Sequence, residues 1–221
     1  PFFMMVVFSL LFGRVAKIDS EGVPYPVFSY AALVPWTYFQ YAVPQSGNSL
    51  VANSKLISKV YFPRAIIPAA SALSGAVDFF FAALVLIGLM LYYHVPLTAG
   101  LLLWPLFMVP LVIFSTAVGM YFSALNVKYR DFRYIVPFLV QFGIYVSPVG
   151  FSSTIVPEKW RLLYSMNPMV GVIDGFRWAL LRGESPLSAS TLLSSLSITV
   201  ILLASGIWYF RKMERTFADV I

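Results

Sequence analysis

The chain has no cysteine, a single histidine and only nine acidic residues in 221. The absence of cysteine excludes disulfides, thiolate metal sites and a cysteine nucleophile. His94 alone cannot build a multi-histidine metal centre, and as a triad base it would sit in a turn with no acid nearby. No glycine-rich phosphate loop followed by Lys-Ser/Thr occurs, so ATP is not bound by that route. No acidic cluster is available for glycosyl transfer or a proton relay, which leaves an enzyme reading weak. Charged residues make up 11% of the chain, against about 25% in soluble domains.

What the chain has is apolar surface: 60% of its residues are hydrophobic and 17% aromatic, including 20 Phe and 13 Tyr. That composition belongs to polytopic membrane proteins. The net charge of +6 is concentrated in short stretches between apolar runs. Such clustering points to membrane topology and anionic lipid headgroups, with no nucleic-acid partner.

The apolar runs predict an all-α integral membrane fold, a single transmembrane domain over residues 1–221 with six spans. A span needs roughly 20 residues. Pro1–Gly13 reads as the outer part of a first helix. Because the chain starts within an apolar run at Pro1, its native N-terminal segment is expected to be missing. The other spans are Val27 to about Leu50, Ile66–Tyr92, Leu101–Ala124, Tyr134–Phe151 and Leu187–Phe210. The second is expected to be interrupted by Pro35 and Pro44, and its Gln40, Gln45 and Asn48 should face other helices or a water-filled path.

Ser152–Pro186 departs from the pattern. Its apolar run Met169–Leu181 is too short to span and contains Asp174, Gly175 and Arg177. A re-entrant or interfacial helix pair between spans five and six fits it best. Lys and Arg accumulate in Asn53–Arg64, in Asn126–Arg133 and in the tail around Arg211, Lys212 and Arg215, which places these on the cytoplasmic side with both termini.

Four groups of residues stand out. In Asn53–Pro68 (NSKLISKVYFPRAIIP), Leu56, Ile57, Val60 and Tyr61 are spaced to share one helical face, while Lys55, Lys59 and Arg64 supply positive charge without a balancing acid. A short basic amphipathic helix between two spans is a cytoplasmic structure and a candidate docking surface, or only a topology signal. Asp78 lies about a dozen residues into the third span, where an ionisable group is a functional candidate; it could equally bond a helix-packing serine such as Ser71 or Ser74. Tyr134, Phe138, Gln141 and Tyr145 recur at spacings of four, three and four on one face of the fifth span. Rings with an amide suit sugar hydroxyls and C–H faces, although aromatic faces also pack on lipid. Asp174 and Arg177, three apart, can pair on a helix.

Five stretches then carry a resemblance: PYPVFSYAALVPWTYF (Pro24–Phe39), SKVYFPRAIIP (Ser58–Pro68), NVKYRDFRYIVP (Asn126–Pro137), SPV (Ser147–Val149) and NPMVGVIDGFRWALL (Asn167–Leu181). In this order they resemble the membrane subunit of type-2 ABC exporters, especially the branch that exports O-antigen, capsule and teichoic-acid polymers. The resemblance implies a homodimer with two separate ABC ATPase subunits. ATP and magnesium would be bound by those partners, with no cofactor in this chain. It implies a coupling helix at Asn53–Arg64 that docks the ATPase through Lys55, Leu56, Lys59, Val60, Tyr61 and Arg64. It implies a channel with Tyr134, Phe138, Gln141 and Tyr145 as candidate lining, and a re-entrant gate region containing Trp160, Asn167, Pro168, Asp174 and Arg177. The implied substrate is a lipid-linked polysaccharide crossing the bacterial inner membrane. A drug or small-lipid exporter of the same fold, or a secondary transporter or channel, are the alternatives.

Overall fold

The computed structural model describes residues 1–57, 59, 60, 62–181 and 187–214. Among them the secondary structure is helical: α1 Phe2–Phe8, α2 Tyr25–Ala52, α3 Ser54–Ile57, α4 Ile66–Leu73, α5 Ala76–Tyr92, α6 Trp104–Lys128, α7 Phe132–Val146, α8 Glu158–Tyr164, α9 Pro168–Leu180 and α10 Ala189–Glu214. A wide π-helical turn, Ser9–Val15, continues α1, and short 3₁₀ turns occur at Ala99–Leu102 and Ser153–Ile155. Three stretches are long and apolar enough to cross a membrane by length and composition: Ile66–Tyr92, Ala99–Lys128 and Ala189–Glu214.

The helices follow the apolar runs, with instructive departures. α2 is continuous across Pro35 and Pro44, contrary to the expected interruption. Each proline removes one donor from the helical ladder, and membrane helices tolerate that loss where neighbours and side chains satisfy the freed groups. The third span is instead the one that breaks, at a turn over Ser74 and Gly75 between α4 and α5. α6 continues to Lys128, so the Asn126–Arg133 stretch is mostly helical and its connecting loop is short. α7 stops at Val146, before the expected end of the fifth span at Phe151. Two short helices, α8 and α9, do lie between α7 and α10.

The chain divides into two compact units, each assembled from three segments. The first contains Pro1–Tyr38, Val77–Leu111 and Ile144–Ile198. Its core is aromatic: Phe79 stacks on Trp104 at 5.4 Å and meets Phe176 edge-on at 5.8 Å, and Phe107 lies 6.4 Å from Phe176. α9 is buried along almost its whole length because glycines let neighbours approach. A β-carbon on Gly171 would lie 2.6 Å from Ser195 of α10, and one on Gly175 would lie 2.3 Å from the Phe107 ring of α6. The pair forms a Gly-x-x-x-Gly contact of the kind that packs membrane helices closely.

The second unit contains Phe39–Ala76, Val112–Gly143 and Thr199–Ile221. Leu50, Ile57, Ile67, Met120, Ala124, Val127 and Phe210 form its buried cluster. Phe39 stacks on Phe114 at 5.1 Å, and Tyr121 on Tyr209 at 5.5 Å. Asn126 of α6 donates to the carbonyl of Gly47 at 3.2 Å and to the side chain of Asn48 at 3.4 Å, so Asn48 does face another helix. Gln45 is exposed.

Candidate functional site

The basic corner belongs to the second unit. Its regular helix is one turn, Ser54–Ile57, shorter than the spacing predicts. Bonds from the N–H groups of Lys59 and Val60 to the Leu56 carbonyl extend the coil slightly before Pro63. Ile57 is buried at 7% exposure, while Leu56 and Val60 are exposed, so these three do not share a packed face. A helix this short presents too few turns for the predicted stripe to form. Lys55 and Lys59 are also exposed. Tyr61, a proposed docking residue, lies outside the described residues.

Arg64 has a different environment from the lysines. It is half-buried, and its guanidinium donates to the carbonyl of Glu214 at 2.9 Å. Glu214 ends α10, so this contact satisfies one of the free carbonyls at a helix C-terminus, where positive charge is also favoured. Phe62 and Ala65 pack on the same cluster as Ile57, which includes Met120 and Val127 of α6 and Phe210 of α10. The corner is therefore anchored from beneath by apolar side chains and at its end by Arg64, with Lys55, Leu56, Lys59 and Val60 left outward.

α7 carries the aromatic face. Tyr134, Phe138 and Tyr145 are 75%, 65% and 67% exposed, and Gln141 is exposed with them. The opposite side of the helix holds the buried Val136, Val140 and Ile144. The predicted grouping of the four residues on one helical face is present. On α5, Asp78 is likewise exposed, in the helix's first turn.

The first unit holds the polar cluster around α9. Asn167 caps this helix, accepting from the Met169 N–H at 3.1 Å, with Pro168 at the first helical position. That is the favoured N-terminal arrangement, since proline lacks a donor the helix could not have used. The Asn167 amide donates to Ser147 at 3.0 Å. Arg177 is 1% exposed and donates to two backbone carbonyls, Val149 and Phe151, each at 3.0 Å. Its guanidinium also lies 3.6 Å from the Phe28 ring centre. Asp174 faces Ser153 and feels the Arg177 charge. The two helical neighbours thus act chiefly on the chain between α7 and α8.

At 13 residues α9 is too short to span, and its ionisable groups are shifted by their setting. Burial pushes the Asp174 carboxyl up to about 6, opposed by the Ser153 side chain and by Arg177. Burial lowers Arg177 to about 10, opposed first by Asp174 and then by Glu21. Tyr164 on α8 is raised, again by burial. Trp160 stands apart from the buried cluster: it is 53% exposed on α8, with Lys159 over its ring at 5.8 Å.

Three members of this cluster, Glu21, Tyr25 and Ser152, were not singled out in the sequence. Tyr25 donates to the Gly150 carbonyl at 2.7 Å, and Ser152 donates to the Glu21 carboxylate. Glu21 sits in the stretch before α2, where it lies close in sequence to Arg14, Lys17 and Asp19 and the four cancel in charge, so no pattern singles it out. A cation deep in an apolar helix, Arg177, is the signal that partners must exist somewhere, but it does not name them.

Long apolar helices, a short buried helix, α9, and exposed cationic turns define a multi-pass helical membrane protein. The chain belongs to the ABC-2 type transporter family, whose model matches residues 1–181. This is a family of membrane transport subunits that are not themselves catalytic. Across its full length the chain is 26% identical to the O-antigen export system permease protein RfbA of Klebsiella pneumoniae, covering 84% of that protein. It is also 26% identical to RfbA of Myxococcus xanthus, with 85% of that protein covered. Similarity extends to the polysialic acid transport protein KpsM of Escherichia coli, at 22% identity over 92% of this chain and 79% of the relative.

Proposed function

We propose that this chain is the channel-forming membrane subunit of an ATP-driven exporter that moves lipid-linked cell-surface polysaccharide across the bacterial inner membrane. The observation that carries the reading is the open face of α7. Tyr134, Phe138 and Tyr145 are 65–75% exposed beside the exposed amide of Gln141. An amide against lipid leaves its hydrogen-bonding groups unpaired, whereas a hydrated sugar path satisfies them. Rings and an amide in series offer weak, repeated contacts to a sliding polymer. The full-length similarity to O-antigen permeases supports the same substrate class.

In this reading the chain has six spans, with both termini cytoplasmic, and works as a homodimer whose α7 faces border a shared path. Two ABC ATPase subunits bind ATP and magnesium and dock on Lys55, Leu56, Lys59 and Val60. Closure of the ATPase pair pushes the corner. Ile57, Phe62 and Ala65 pass the push to their packing partners on α6 and α10, and Arg64 passes it to the end of α10. The α8–α9 pair, re-entrant from the outer surface, forms the gate, with Trp160 on its exposed side.

Deletion of the gene in its native host tests the substrate. Loss of surface polysaccharide with intracellular accumulation of its lipid-linked form, restored by the wild-type gene, is the expected result. Intact surface polymer after deletion would contradict it and favour export of a drug or small lipid.

A further inference from the structure

The irregular link between α7 and α8 is held almost residue by residue. Arg177 binds the Val149 carbonyl at 3.0 Å, Tyr25 binds that of Gly150 at 2.7 Å, and Arg177 binds that of Phe151 at 3.0 Å. Ser152 is bonded to Glu21, and Ser153 faces the Asp174 carboxyl. Two residues before this run, Ser147 accepts from Asn167 at 3.0 Å. Four consecutive residues, Val149–Ser152, are therefore gripped, and Ser153 is faced, by side chains from the first loop, α2 and α9, all within the first unit. Glu21 reaches its partner from a left-handed backbone, φ 57°, beside Gly22 at 78°. A non-glycine residue is disfavoured there, so the surrounding contacts must hold it.

The chemistry suits a fixed joint rather than a hinge. Arginine's planar fork makes two directed bonds at once, so the link cannot shift along α9 without breaking both. Phe28 covers the guanidinium at 3.6 Å, in a buried setting where cation–π attraction is strong. A moving hinge would be expected to leave its backbone groups to water, with few such partners.

We propose that Arg177 is a positioning residue that locks Ser147–Ser153, so that the last turn of α7, the α8–α9 pair and the first half of α2 move as one rigid body during transport. This rests on the reading of α7 as a channel helix, and it relocates gating: the α8–α9 pair does not swing about the link but is carried by the helices.

None of the 221 residues is cysteine, which permits a direct test in the full exporter once any cysteine in its other parts has been replaced by serine. Ser147→Cys and Asn167→Cys are combined, and ATP-dependent transport is compared before and after oxidation, with reductant added back. A disulfide that forms in the resting complex and changes transport by less than about twofold is expected for a joint that never opens. A fall of about tenfold or more on oxidation, reversed by reductant, would show that the link separates in the cycle and would overturn the proposal. Failure of the bridge to form would overturn it as well, because the two residues would not be neighbours. The reduced variant controls for loss of the Asn167 cap. Absence of polysaccharide export by the unmodified complex would refute the functional reading instead, with the joint still judged by whether the disulfide forms.

Discussion

Replacing Arg177 with methionine keeps most of the side-chain volume and removes the charge. The Val149 and Phe151 carbonyls, each bonded at 3.0 Å, lose their donor. Leaving a buried polar group unsatisfied costs about 1–3 kcal/mol, and the lost contact with Phe28 adds up to about 2 kcal/mol. Relief from burying a charge offsets part of this. Removing one partner from a buried charged network costs about 3–5 kcal/mol overall. For a chain of this size, roughly 2–4 °C of melting temperature accompanies each kcal/mol, so a fall of about 10 °C is expected. The assay is thermal unfolding of the detergent-purified exporter, followed by intrinsic tryptophan fluorescence. Arg177→Lys should fall between the two, because an ammonium is a point donor and cannot bridge both carbonyls as the fork does. A methionine variant melting within about 2 °C of wild type would refute the idea that these bonds hold the link.

Gly175→Ala places a β-carbon 2.3 Å from a Phe107 ring that is itself flanked by Phe176 and Trp178. Overpacking costs about 1–3 kcal/mol, more than the roughly 1 kcal/mol of helix propensity gained. A net loss of about 1 kcal/mol is expected, and the same melting assay would contradict it by showing a stabilised variant. Lys55→Glu combined with Lys59→Glu, two exposed positions, should weaken ATPase docking and lower the co-purified ATPase subunit. Unchanged co-purification and coupling would remove the docking role. Tyr134→Ala with Phe138→Ala should slow polymer export several-fold at unchanged basal ATPase activity. Unchanged export would return these rings to lipid or packing.

Much of the fold was legible because lipid imposes a simple code. Ile66–Tyr92 and Leu187–Phe210 read as spans from their apolar runs; α4 and α5 together fill the first, and α10 covers nearly all of the second. The boundaries were less legible because hydropathy marks the membrane and not the helix: α6 runs past the last apolar residues to Lys128. Pro35 and Pro44 misled for a related reason, since proline's cost in water overstates its cost in a packed membrane helix. At the candidate site, the α7 face followed directly from spacing within one helix. The basic corner was found, but the regular helix is too short for the predicted stripe, and Ile57 alone of its described apolar members turned inward. The grip on Ser147–Ser153 was not legible. Its donors and acceptors come from Glu21, Tyr25 and α9, 125 residues apart in the case of Tyr25 and Gly150, and no local pattern encodes such a convergence. The spacing of Asp174 and Arg177 allows them to pair, and each does feel the other's charge, but the spacing gave no sign that Arg177 also binds the carbonyls of Val149 and Phe151.

The most direct measurement is transport itself. The chain and its ATPase subunits are reconstituted into proteoliposomes with fluorescently labelled lipid-linked polysaccharide on the ATPase side. The account predicts that ATP and magnesium will move the polymer to the opposite leaflet, and that an ATPase subunit unable to hydrolyse ATP will abolish the movement. Polymer that stays in place while ATP is hydrolysed, or that crosses equally well without ATP, would contradict it.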